Sequence, residues 1–158
     1  MAPAATPIAL TIAGSDPSGG AGIQADLKTF SATGTYGMTV LTALPVQNTC
    51  GVRSCYDIPL VCIEEQLYAI FDDIVPDAIK IGMLFSAETI GMVASFLREK
   101  AKNIPIIVDP VMVAKSGDSL LKEDAIEALK AQILPIASII TPNLPEAWAL
   151  TSTMENKK

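Results

Sequence analysis

The chain has 158 residues, 50% of them hydrophobic, with 11 basic and 17 acidic side chains and a formal charge of -6. That is material for one globular core, and the acidic balance gives nucleic-acid phosphates and anionic lipid no attractive field, so neither is expected as a partner. Histidine is absent, which removes Ser-His-Asp and Cys-His nucleophiles and histidine-ligated metals together and leaves proton transfer to carboxylate, lysine, tyrosine or thiol.

The opening MAPAATPIALTIAG lacks a basic leader, and no apolar run approaches the roughly 18 residues of a membrane-spanning helix. A soluble, cytoplasmic protein with no membrane contact is expected. Cys50, Cys55 and Cys62 form an odd set without a C-x-x-C pair, and they read as reduced structural thiols.

PIALTIAG, Pro7 to Gly14, is short, continuous and rich in apolar residues, as a strand covered on both faces would be. After a glycine-rich loop, GIQADLKTFSATG places Ile23, Leu27, Phe30 and Ser31 at helical spacing, with Gly34 as its stop. GMTVLTALPVQ, Gly37 to Gln47, reads as a second buried strand running into a loop, NTCGV. IEEQLYAIFDDI, Ile63 to Ile74, has an acidic first turn and apolar residues at Leu67, Ile70, Phe71 and Ile74, the pattern of an amphipathic helix.

Beyond it come AIKIGML as a strand, SAETIGMVASFLREKA as a helix, IPIIVDPVM as a strand, KEDAIEALKAQIL as a helix and ASIITPN as a strand. NLPEAWAL then opens a last helix. Strands separated by helices of this length indicate right-handed βαβ units. The expected class is therefore α/β, a mainly parallel sheet with helices on both faces. Ligands in such sheets collect beyond the carboxyl ends of strands. That singles out Gly14-Ser15-Asp16, Gln47-Asn48, Gly82-Met83, Asp109-Pro110 and Thr141-Pro142-Asn143.

The loop AGSDPSGGAGIQAD, Ala13 to Asp26, admits three readings. A phosphate loop needs G-x-x-x-x-G-K-[ST]; Gly14 and Gly19 have the spacing, but Gly20 and Ala21 stand where lysine and a hydroxyl residue belong. Gly20-x-Gly22-x-x-Ala25 satisfies a dinucleotide pattern, yet the acid expected about 20 residues on is missing from Thr39 to Thr49. The third reading fits the residue types better. Glycines let backbone approach a flat ligand, while Asp26 and Gln47 supply directed hydrogen bonds. Against it, Asp26 also reads as a solvated helix residue and Gln47 as a loop glutamine.

A second cluster is acidic. Asp109 ends the strand IPIIVD, where a carboxylate would hold Mg²⁺ or its bound water. Asn143 and Glu146 read either as a capping box or as a pair holding magnesium and phosphate at a helix N-terminus. Lys115-Ser116-Gly117-Asp118 reads as a turn or as a lid carrying a cation toward phosphates.

AGSDPSGGAGIQADLKTFSATGTYG, VQNT, KIGML, VDPVM, AKSGD and TPNLPEA, in this order, resemble the hydroxymethylpyrimidine and phosphomethylpyrimidine kinases of thiamine biosynthesis, in the ribokinase-like superfamily. The resemblance runs from Ile8 to Leu150, and pyridoxal kinases share the general plan. It implies transfer of the γ-phosphoryl of ATP, with Mg²⁺, to 4-amino-5-hydroxymethyl-2-methylpyrimidine and then to its monophosphate. Asp26 and Gln47 match the family's aminopyrimidine contacts, with Gly14 of the glycine loop and Met83 around the ring. Asp109, Asn143 and Glu146 match positions near magnesium and the ATP phosphates, and Lys115 matches the mobile flap. A homodimer is the usual assembly by the same resemblance.

One departure stands out. The family's Gly-Thr-Gly-Cys segment, which forms the anion hole and carries the catalytic residue, lies downstream of Asn-x-x-Glu, and no such tetrapeptide occurs in this sequence; GTYG, Gly34 to Gly37, is a helix end. The expectation is a single ribokinase-like domain over residues 1–158 whose C-terminal part is missing, with weak or no phosphoryl transfer by this chain alone. The competing expectation is a non-catalytic module that binds a pyrimidine or pyridoxal-like ring.

Overall fold

The computed structural model describes residues 5–112 and 123–151. Five strands form one parallel sheet: β1 (Ile8–Ala13), β2 (Tyr36–Leu41), β5 (Ala78–Ile81), β6 (Ile106–Val108) and β7 (Ile139–Ile140), in the order β2-β1-β5-β6-β7. A separate antiparallel hairpin comprises β3 (Ala43–Asn48) and β4 (Gly51–Asp57). The helices are α1 (Gly22–Ala32), α2 (Leu60–Phe71), α3 (Ala87–Lys100), α4 (Glu123–Ala128) and α5 (Leu144–Thr151).

The two faces of the sheet follow from the period-2 alternation of strands. On one face Leu10, Ile12, Ile79 and Ile81 are buried with Ile63 and Leu67 of α2 and with Ile90, Val93, Ala94 and Leu97 of α3. These α3 positions recur at the three- and four-residue spacing of a single helix face. Phe96 joins them, meeting the rings of Tyr68 and Phe71 edge to face at 5.1 Å. The other face carries Thr11 of β1 and its register partner Lys80 of β5. Both point toward α1, where Thr11 donates to Asp26 at 2.6 Å. Helices therefore cover both faces, as expected.

Strand order places the crevice. From β1 the chain turns one way, through α1, to β2, while β5 lies on the opposite side of β1. This is the point in an open parallel sheet where strand ends diverge and a ligand crevice forms.

The single buried strand expected over Gly37–Gln47 is instead two. The chain leaves the main sheet at Thr42, whose N–H donates to Ala13 O at 3.1 Å, and Ala43 starts the hairpin by accepting from Ser15 N at 3.2 Å. NTCGV is not an open loop: Thr49 and Cys50 make the turn, and Gly51 onward returns as β4. Mixed polar residues such as Arg53, Ser54 and Asp57 hid this strand, which is largely exposed.

The helix expected over Ile63–Ile74 starts earlier, at Leu60, so Glu64 and Glu65 fall outside its first turn. The stretch read as one helix up to Leu134 is α-helical only over Glu123–Ala128; it widens to a π-turn over Leu129–Ile133 and closes as a 3₁₀ turn over Leu134–Ile136. Along β7 and α5, Ile139, Ile140, Leu144 and Trp148 are exposed.

Candidate functional site

A cleft of about 290 Å³ opens at the carboxyl ends of β1 and β5. Gly14, Asp26, Gln47, Met83 and Asp109, all expected site residues, line it together with Lys80. The glycine loop forms one wall, and the β3–β4 hairpin brings Gln47 over another.

Backbone packing explains the loop's glycines. Gly22 has φ +55°, and a Cβ there would lie 2.5 Å from Gly14 O and 3.0 Å from Ser15 C. Only glycine fits both the left-handed backbone and the contact. At Gly14 the backbone has an ordinary conformation, but a Cβ would meet Met83 Cε at 2.5 Å, so the missing side chain lets Met83 close over the cleft.

Met83 is fixed from behind. Its carbonyl accepts from the buried Thr42 hydroxyl at 2.7 Å. Two residues on, Phe85 has φ 71°, inside a tight turn in which Ser86 N donates to Leu84 O at 2.9 Å. A left-handed aromatic residue is strained, and such strain persists where the surroundings over-determine it.

Asp26 is not a solvated helix residue. Its Oδ2 accepts from Thr11 Oγ1 at 2.6 Å and from Lys80 Nζ at 2.9 Å. Both contacts use one oxygen, and among the described residues none donates to Oδ1, which leaves a carboxylate oxygen for a ligand donor. Lys80 itself gains room because Gly82 lacks a Cβ, which would lie 2.9 Å from its ammonium. At the far side, burial raises the pKa of Asp109, Lys80 pulls it down and Asp26 pushes it up.

Three of the loop's backbone amides are already taken by Asp16. Asp16 is 2% exposed, and its Oδ2 accepts from Gly20 N at 2.9 Å and Ala21 N at 2.8 Å, while Oδ1 accepts from Ser18 N at 2.9 Å. The Ser18 hydroxyl reaches both oxygens. Burial alone would raise its pKa, but hydrogen-bonding contacts from Gln47, Ser18 and Ala21 outweigh it and hold Asp16 at about 2. The Asp16 N–H in turn donates to Gln24 Oε1 at 2.7 Å.

The family model for phosphomethylpyrimidine kinase matches residues 16–158. The chain belongs to the phosphomethylpyrimidine kinase family. It is 57% identical over 143 residues to the hydroxymethylpyrimidine/phosphomethylpyrimidine kinase of Salmonella typhimurium, an alignment covering 90% of this chain and 53% of that protein. The chain thus spans about half the length of that curated relative. The crystal structure of phosphomethylpyrimidine kinase from Clostridium difficile 630 superposes with a TM-score of 0.86 at 53% identity, covering 93% of this chain and 63% of that one. Staphylococcus aureus pyridoxal kinase in complex with AMP-PCP and pyridoxal gives 0.81 at 41% identity, covering 94% of this chain and 52% of the other. The α/β, ribokinase-like fold is the fold of these kinases.

The acidic positions fall at neighbouring strand ends of this fold. Val108 and Ile140 are register partners, so Asp109 follows β6 beside Thr141, whose N–H donates to Val108 O at 2.9 Å. Asn143 and Glu146 form the reciprocal capping box: Glu146 Oε2 accepts from Asn143 N, and Asn143 Oδ1 from Glu146 N, each at 2.9 Å. The capping-box reading therefore holds, and it engages Glu146 Oε2. Among the described residues no three acidic or thiol side chains gather as a cation cage. The donor set still fits Mg²⁺, which commonly takes one or two carboxylates and completes its shell with water and phosphate oxygens. Lys115 lies outside the described residues.

Sequence reasoning missed one member of the site, Lys80, and the role of Asp16 behind it. Lys80 carried a signal: a lysine inside the otherwise apolar strand AIKI needs a buried partner. Asp16 lay among the positions singled out after β1, but nothing in its residue type distinguished a loop organiser from a turn aspartate. Among the described residues, no helix is long and apolar enough to cross a membrane.

Proposed function

We propose that the chain acts in ATP-dependent phosphorylation of 4-amino-5-hydroxymethyl-2-methylpyrimidine and of its monophosphate, in thiamine biosynthesis, and that the β1–β5 cleft holds the pyrimidine. The observation that carries this reading is the convergence of Gly14, Asp26, Gln47 and Met83 on one cleft in a chain of this family. Asp26 offers its second oxygen to the ring's amino group, and the Gln47 amide supplies a further directed hydrogen bond. Gly14 leaves space for the ring to approach, with Met83 covering its face.

Asp109 and Glu146 are the residues that would hold Mg²⁺, which when bound neutralises phosphate charge. In the first transfer the substrate hydroxyl oxygen, and in the second an oxygen of its phosphate, forms a bond to the γ-phosphorus as the bond to the ADP leaving group breaks, and the hydroxyl proton of the first transfer passes to solvent. Such transfer is mostly positioning and charge stabilisation. With no Gly-Thr-Gly-Cys anywhere in the 158 residues, the chain by itself should turn over ATP poorly.

The test is calorimetric titration of the purified chain with the aminopyrimidine and, separately, with pyridoxal, alongside an ADP-release assay. Preferential aminopyrimidine binding that is lost in Asp26→Asn supports the reading. Binding of pyridoxal alone, or of neither compound, overturns it. Kinase-like turnover by the chain would sink the expectation of weak catalysis.

A further inference from the structure

We infer that Asp16 is a positioning residue that acts as the loop's built-in anion, filling the Ser18, Gly20 and Ala21 amides of the turn that leads into α1 so that this turn presents a ring-binding surface and rejects phosphate. The inference rests on the reading of the cleft as a pyrimidine site.

Consecutive N–H groups turned inward at a helix start form a concavity that attracts phosphate or carboxylate. Here Ser18, Gly20 and Ala21 supply those N–H groups, and the Asp16 carboxylate receives all of them from within the same loop at 2.8–2.9 Å. Asp16 is 2% exposed, so these three donors are closed to a second anion and a negative charge already stands behind them. The wall of the cleft at Gly20 and Ala21 is thereby set by charge-assisted hydrogen bonds from backbone N–H groups to the Asp16 carboxylate. The phosphate of a phosphomethyl ligand must lie away from this wall.

The division of labour between the two oxygens sharpens the case. Oδ1 serves Ser18 N, while Oδ2 serves Gly20 N and Ala21 N. An asparagine of the same shape keeps one acceptor oxygen and turns an NH₂ toward the other set, so Asp16→Asn must lose one set of bonds.

The experiment is ¹H–¹⁵N spectroscopy on the 158-residue chain, titrated first with inorganic phosphate and then with the aminopyrimidine. In the wild type, phosphate leaves the Ser18, Gly20 and Ala21 amides unmoved, and those amides are protected from exchange. In Asp16→Ala they lose protection and shift saturably with phosphate, and aminopyrimidine affinity falls about tenfold or more, the scale of a lost charge-assisted bond. Asp16→Asn serves should the alanine variant fail to fold, with partial loss of protection expected.

Saturable phosphate shifts at these amides in the wild type overturn the inference. So does unchanged protection in both variants. An aminopyrimidine that moves no cleft resonance in the wild type overturns the pyrimidine reading separately, because the phosphate titration does not depend on it.

Discussion

The Lys80 ammonium lies 2.9 Å from Asp26 Oδ2, with side chains only 23% and 17% exposed, and links the middle of β5 to α1 across the floor of the cleft. Removing the cation leaves a partly buried carboxylate with Thr11 as its remaining partner. That loss falls between the exposed and fully buried cases, about 2 kcal/mol, and lowers the melting temperature by about 5 °C for a chain of this size. Lys80→Met should show this in thermal denaturation and should also weaken aminopyrimidine binding, while Lys80→Arg recovers most of the stability. A Lys80→Met chain that melts with the wild type would refute the structural role of the pair.

Asp16, behind the glycine-loop wall, and Asp109, in the cleft, should titrate with opposite effects on stability. Asp16 has a folded pKa of about 2 against an ordinary 3.8, so between those values the unfolded chain binds more protons. Its contribution, at most about 2.5 kcal/mol, is present above pH 3.8 and is lost as pH falls toward 2. Asp109 is raised above 3.8, chiefly by burial, so its folded form keeps a proton longer and stability declines as pH rises through that raised value. Melting temperatures measured from pH 2 to 8 should therefore show Asp16→Asn below the wild type at neutral pH and converging with it in acid. Asp109→Asn should stand above the wild type at neutral pH, again converging in acid. Asp109→Asn destabilised at neutral pH would contradict the burial cost.

The alternation of β1, α1, β5, α3 and β6 was legible because strands covered on both faces are continuous apolar runs and α3 has an uninterrupted helical stripe. The class and the position of the crevice followed from that alternation alone. The β3–β4 hairpin was not legible, since it is half exposed, carries polar residues on both faces and leaves the main sheet at Thr42 without any glycine or proline to mark the break. Asp26 was legible as a candidate, but its ion pair was not, because Lys80 is 54 residues away in sequence and only the β1–β5 register brings them together.

Gly22 and Gly14 should respond differently to the same added methyl group. At Gly22 the new Cβ meets backbone at 2.5 Å with φ +55°, and backbone cannot move aside cheaply; Gly22→Ala should cost about 2 kcal/mol or more. At Gly14 the obstacle is Met83 Cε, the end of a flexible side chain, so Gly14→Ala should stay within about 1 kcal/mol of the wild type. Its effect falls on the cleft, where a displaced Met83 should lower aminopyrimidine affinity by about tenfold, or 1.4 kcal/mol. Denaturant melts and calorimetric titration of both variants separate the two outcomes; equal destabilisation by both would show that the Met83 contact is as rigid as backbone.

Glu146 serves as a cap and is also a candidate magnesium ligand, and glutamine distinguishes the two roles. The reciprocal bonds with Asn143 at 2.9 Å need an acceptor oxygen on residue 146, which a glutamine amide also provides at that position of a capping box. Glu146→Gln should therefore melt within about 0.5 kcal/mol of the wild type, whereas Glu146→Ala and Asn143→Ala should each lose about 1 kcal/mol with the cap. Magnesium-dependent nucleotide binding, measured by titration with and without the metal, should fall in both Glu146 variants because neither retains the carboxylate. If Glu146→Gln binds magnesium and nucleotide as the wild type does, the side chain is a cap alone, and Asp109 is left as the protein's carboxylate for the ion.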